Sequence, residues 1–80
     1  MAQIIIETTR EEQDKVMKAV KDLDGKVTPV ATIASMVGMS PTRTRYVLLD
    51  LIEQGRIERV PHKAFNKHYV RYSYEIITKH

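Results

Sequence analysis

Eighty residues leave room for one small domain, and a chain of this size buries only about 60% of its unfolded surface. With 42% hydrophobic and 29% charged residues it has the composition of a folding protein rather than a disordered one. It has no cysteine, which excludes disulfides, thiolate nucleophiles and Cys-based metal centres, and its net charge of +3 sits unevenly. Residues 1–40 carry five bases against six acids, whereas residues 41–80 carry eight bases against four acids. A basic second half suggests an anionic partner. No apolar run approaches a membrane span of ~20 residues, and the N-terminal stretch lacks the charged and apolar regions of a signal peptide. The expectation is a soluble cytoplasmic protein.

Ile4, Ile5 and Ile6 are β-branched and could form a short N-terminal strand. A capping box is offered twice, by Thr9 with Glu12 and by Thr8 with Glu11. Val16, Ala19, Val20 and Leu23 then make one apolar stripe, which predicts a first helix over about 9–23 with Gly25 as its C′ residue. Thr28-Pro29 reads as N-cap and first helical residue of a second helix over about 29–37, with Val30, Ile33, Ala34 and Val37 on one face and Gly38 as the break. Ser40-Pro41 repeats that signal and opens a third helix over about 41–54, with Thr44, Val47, Leu48, Leu51 and Ile52 inward and Gly55 as its end. Two helices joined by a short turn holding a glycine form a helix-turn-helix. Beyond Gly55 the period alternates. Arg56–Val60 and His68–Ile77 read as two strands, the second turning Val70, Tyr72, Tyr74 and Ile76 to one side, and Pro61–Lys67 as the loop between them.

The stretch Ile33-Ala34-Ser35-Met36-Val37-Gly38-Met39-Ser40-Pro41, continued by Leu48, Leu51, Gly55 and Ile57, closely resembles the winged helix-turn-helix domains of bacterial transcriptional regulators. The resemblance covers roughly residues 28–60, and the strands that follow extend it. One departure is Thr44, where the family usually has Val or another aliphatic residue; a Thr methyl packs similarly, and its hydroxyl can bond back to the carbonyl of Ser40 or Pro41. The resemblance implies an α+β fold in one domain spanning 1–80: a three-helix bundle followed by a hairpin wing over about 56–77, with the N-terminal strand left open. It also implies binding of double-stranded DNA.

On that reading the third helix is the recognition helix, turning Thr42, Arg43, Arg45, Tyr46 and Leu49 outward. Arg can grip guanine bidentately, Thr can bond either base pair, and Tyr can reach a phosphate or pack on a thymine methyl. Ser40 and the free backbone N–H groups around Pro41–Arg43 form a positive helix end suited to phosphate. The charges of this helix oppose its dipole, with Arg43 and Arg45 early and Asp50 and Glu53 late, whereas the first helix opens on Glu11, Glu12 and Asp14. Such placement suits a helix that pushes positive charge into a groove. In the wing, Lys63 and Lys67 lie near the tip as candidates for backbone or minor-groove contact, while Arg59 and Arg71 read as solvent-facing.

Tyr69, Tyr72 and Tyr74 read as strand packing, and His62, His68 and His80 have no carboxylate or thiol at a ligand spacing. No cofactor motif, Ser–His–Asp arrangement or paired-carboxylate site is visible, so no enzyme and no cofactor is expected. The leading expectation is a small DNA-binding regulator. A DNA-binding accessory to replication, partition or recombination of a mobile element would use the same surface. A winged helix that docks protein is the third reading, kept open by Leu49 and Ile4–Ile6. A homodimer is left open, and no membrane partner is expected.

Overall fold

A computed structural model describes residues 7–63 and 70–77. Three helices, α1 (Arg10–Leu23), α2 (Val30–Val37) and α3 (Pro41–Glu53), precede two strands, β1 (Ile57–Lys63) and β2 (Val70–Ile76), in an α+β arrangement. The strands pair antiparallel, with Ile57 opposite Ile76 and Lys63 opposite Val70. The Ile4–Ile6 strand and the residues Phe65, Lys67 and His68 lie outside the described residues.

Of the two frames for the first capping box, the chain uses the later. The Thr9 hydroxyl accepts from the Glu12 N–H at 3.1 Å, and the Glu12 carboxylate accepts from the Thr9 N–H at 2.9 Å. Two backbone donors at the helix start are thereby satisfied, each worth about 1 kcal/mol of helix stability. At the other end Asp24 and Gly25 both take positive φ, so the left-handed reversal begins one residue before the glycine.

The second helix corrects the expected cap. Its N-cap is Pro29, with no side-chain hydrogen bond, and Thr28 sits outside the helix. The Thr28 hydroxyl instead donates to the Lys26 carbonyl at 3.0 Å, and its N–H donates to the Tyr72 carbonyl at 3.1 Å. Val27 bridges Ser73, so the link between α1 and α2 runs along β2 as a third, very short extended segment. Nothing in the local pattern announces that bridge, because it depends on a partner more than 40 residues away.

Gly38 ends α2 in the left-handed region at φ 69°, and among the described residues no atom beyond its own chain neighbours lies within 4 Å of where a Cβ would stand. Glycine is required there for backbone conformation rather than for space. The Ser40 hydroxyl accepts from the Arg43 N–H at 3.1 Å and Pro41 occupies the first turn, as the cap-plus-proline pattern predicts.

Val16 and Val20 of α1, Ile33 of α2, Val47, Leu48 and Leu51 of α3, Ile57 of β1 and Tyr74 of β2 close into one core. Each fully buried aliphatic side chain is worth about 1.5–3 kcal/mol, so the core is the main stabilising term of a small domain. Thr44 is fully buried, and its hydroxyl donates to the Ser40 carbonyl at 2.9 Å, so this polar group enters the core already satisfied.

The hairpin departs from expectation in three ways. β1 does not stop at Val60 but continues through Pro61, paired with Tyr72, to Lys63. Proline is tolerated because β2 has Val27 on its far side, which leaves β1 at the edge, where a missing N–H breaks no ladder. Val70, expected inward, is exposed. Ser73, on the opposite face, is buried and meets His62 Nε2 at 2.8 Å.

Candidate nucleic-acid interface

The buried stripe of α3 leaves a complementary outward stripe. Thr42, Arg45, Tyr46 and Leu49 are exposed, while Thr44, Val47, Leu48 and Leu51 are covered. Tyr46 and Leu49, at 39% and 44% exposure, are large apolar groups held at the surface. From Pro41 to Leu49 the helix carries no carboxylate.

Arg43, expected beside Arg45, faces another way. Its Nε donates to Glu12 Oε2 and its Nη2 to Glu12 Oε1, both at 2.7 Å, and Nη2 also donates to the Glu7 carbonyl at 2.7 Å. The pair is bidentate, the strongest geometry for a guanidinium and a carboxylate. Its side chains keep only 32% and 23% exposure. The Arg43 guanidinium, followed by the Thr9 N–H, holds the Glu12 carboxyl at about 2, well below the usual range, and the carboxylate in turn raises Arg43. Only Nη1 of Arg43 has no partner among the described residues, too little to grip a base edge with the full fork.

A second connection runs parallel to this one. Arg56 Nη1 donates to Gln13 Oε1 at 3.3 Å, Gln13 Nε2 to Thr8 Oγ1 at 2.8 Å, and Thr8 Oγ1 to Asp50 Oδ2 at 2.6 Å. Two of the four dipole-opposing charges of α3, Arg43 and Asp50, are therefore structural ties to the segment that begins α1. Arg45 and Glu53 make no such tie among the described residues. Sequence spacing does not reveal these ties, since the partners lie 31 and 42 residues apart.

The helix end is also less open than its sequence suggests. Pro41 has no N–H, and the Arg43 N–H is taken by Ser40, which leaves the Thr42 N–H as the first turn's backbone donor without a partner among the described residues. Ser40 is exposed, its hydroxyl proton directed by no described acceptor.

On the other flank of α3 lies the hairpin. Arg59, Tyr72 and Tyr74 share one face of it, and the Arg59 guanidinium carbon stands 4.6 Å from the Tyr72 ring centroid. Arg59 is thus ordered by a cation–π contact instead of facing empty solvent. A groove of about 480 Å³ separates this face from α3, lined by Arg45, Leu48, Leu49 and Ile52 on one wall and Arg59, Tyr72 and Tyr74 on the other. Arg71 is exposed on the opposite hairpin face, and the backbone of Lys63 ends β1. Lys67 lies outside the described residues.

Among the described residues no group of three or more His, Cys, Asp or Glu gathers at metal-binding distance. Among them too, no helix is long and apolar enough to cross a membrane. No protein-family model, curated protein or solved structure matches this chain.

Proposed function

We propose that the chain is a winged helix-turn-helix protein that binds duplex DNA, with α3 in the major groove and the hairpin as the wing. The observation that carries this reading is the outward stripe of α3: Thr42, Arg45, Tyr46 and Leu49 stand exposed on a helix braced from behind by α1 and α2, with no carboxylate before Asp50. Three helices followed by an antiparallel hairpin are compatible with that architecture. Arg45 supplies the guanine-type fork, Thr42 a hydroxyl and a backbone N–H, and Tyr46 a phosphate or methyl contact. Ser40 remains a phosphate donor through its hydroxyl. Arg43 sets the position of the helix by its tie to Glu12, with Nη1 left for a phosphate at most. Lys63 and Lys67 stay as wing contacts to backbone or minor groove.

A regulator and a DNA-binding accessory of a mobile element would use this surface alike. Selection from random duplex DNA, followed by titration of the enriched site at low and moderate salt, tests the reading. A protein that neutralises several phosphates loses affinity steeply as salt rises. The exposed Leu49 and Tyr46 support a second reading, in which the same face docks a protein. That module would show no appreciable duplex affinity even in dilute buffer.

A further inference from the structure

The groove between α3 and the hairpin has features that a DNA-facing surface does not require. Its floor and walls are apolar: Leu48, Leu49 and Ile52 from α3, Val30 from α2, and the rings of Tyr72 and Tyr74. Its charged lining groups are Arg45 and Arg59, contributed by different elements, and neither makes an ion pair or hydrogen bond among the described residues. The Arg59 guanidinium carbon lies over the Tyr72 ring, a contact that restrains the side chain without using its N–H donors.

Tyr74 adds a third polar group. The residue is only 5% exposed, yet its hydroxyl makes no hydrogen bond among the described residues and is not sealed off as a buried orphan. Tyr74 lines this groove together with Arg45, Arg59 and Tyr72, and also borders a smaller cavity beside Val20 and Gly25. Two guanidiniums unpaired among the described residues therefore line one largely apolar groove, on different elements. The volume of about 480 Å³ falls within the range of small-molecule sites, which are mostly apolar with a few convergent polar groups.

We propose that this groove binds a small aromatic carboxylate of one or two rings, its ring on Leu49, Ile52 and Tyr72 and its carboxylate held between Arg45 and Arg59. A bare inorganic anion would satisfy the arginines but leave the apolar walls wet. A neutral aromatic would cover the walls and leave both charges unanswered. A rigid ring covers the floor with little loss of internal freedom, which favours it over an alkyl chain. The site rests on the groove alone. Its effect on DNA rests on the proposed function, because Arg45 belongs to both.

The test titrates 2-naphthoate into the full ¹⁵N-labelled chain, following the amides of Leu48, Leu49, Ile52 and Tyr72 and the Nε–H groups of Arg45 and Arg59. Saturable shifts at both sets are expected. Loss of a charge-assisted bond in Arg45→Gln or Arg59→Gln, each with a dispersed native spectrum, weakens binding about tenfold or more. Arg45→Lys, which keeps charge but loses the fork, falls between. The neutral 2-naphthamide binds at least about tenfold more weakly for the same reason. Absence of saturable shifts, indifference to both Gln variants, or inorganic phosphate matching 2-naphthoate without any response at Leu49 and Ile52 overturns the proposal. In a parallel arm, bound 2-naphthoate lowers duplex affinity. A chain that binds 2-naphthoate but ignores every duplex leaves the site standing and ends the DNA reading.

Discussion

The two flanks of α3 treat the same kind of residue in opposite ways. On the α1 side, Arg43 and Asp50 are consumed by contacts within the chain, to Glu12 and Glu7 and to Thr8. On the hairpin side, Arg45 has no partner among the described residues and lines an apolar groove together with Arg59. Arg43 and Arg45 are two residues apart, about 200° around a helix, so one turns to the brace while the other turns to solvent. Charge count along a helix therefore overstates its binding surface, and pairing decides which charges are available.

The largest expected effect comes from removing the divider between the flanks. Leu48→Ala opens a cavity under both and lowers stability by about 2–5 kcal/mol in denaturant titration. Gly38→Ala leaves the core intact but forces a Cβ into left-handed backbone, for about 1–2 kcal/mol in the same titration. Arg43→Gln strips Glu12 of its partner and lowers the melting midpoint, by less than Leu48→Ala. Arg45→Gln leaves it within the scatter of surface substitutions. The double variant Glu12→Gln with Arg43→Gln recovers part of the loss, and a purely additive double-mutant cycle would contradict the pairing.

Acid sharpens the same contrast. Glu12 is held at about 2 when folded, against 4.5 for an ordinary Glu, so its contribution is present in full above about pH 4.5 and is lost as pH falls toward 2. Wild type should show that added loss of stability in this window, and Arg43→Gln should show less of it. A small effect is also expected for Thr44→Val. Its hydroxyl serves a Ser40 carbonyl that already accepts the Thr44 N–H at 2.9 Å, so the change is expected to stay within about 1 kcal/mol.

What the sequence made legible follows the range of the interactions. Helix ends were readable where the signal is local: Thr9 with Glu12, Gly38, and Ser40-Pro41. The inward stripe of α3 was readable because its period is intrinsic to the helix. Thr28 misled because Thr-Pro resembles a cap, while its N–H belongs to Tyr72 on a distant strand. Pro61 misled because whether proline breaks a strand depends on which edge it occupies. Arg43 misled for the same physical reason: a helical wheel gives direction but not the carboxylate that another helix brings to meet it. The Arg59–Tyr72 contact has a readable trace, since cross-strand register would have placed both on one face once the strand length was known.

Duplex binding by wild type, Arg43→Gln and Arg45→Gln, read by fluorescence anisotropy at low and moderate salt, bears most directly on the outward stripe of α3. The expected result is steeply salt-dependent binding by wild type and a loss of about 1–3 kcal/mol with relaxed specificity in Arg45→Gln, with a smaller loss in Arg43→Gln. Equal binding by wild type and Arg45→Gln, or no binding by a folded wild-type sample in dilute buffer, would contradict it.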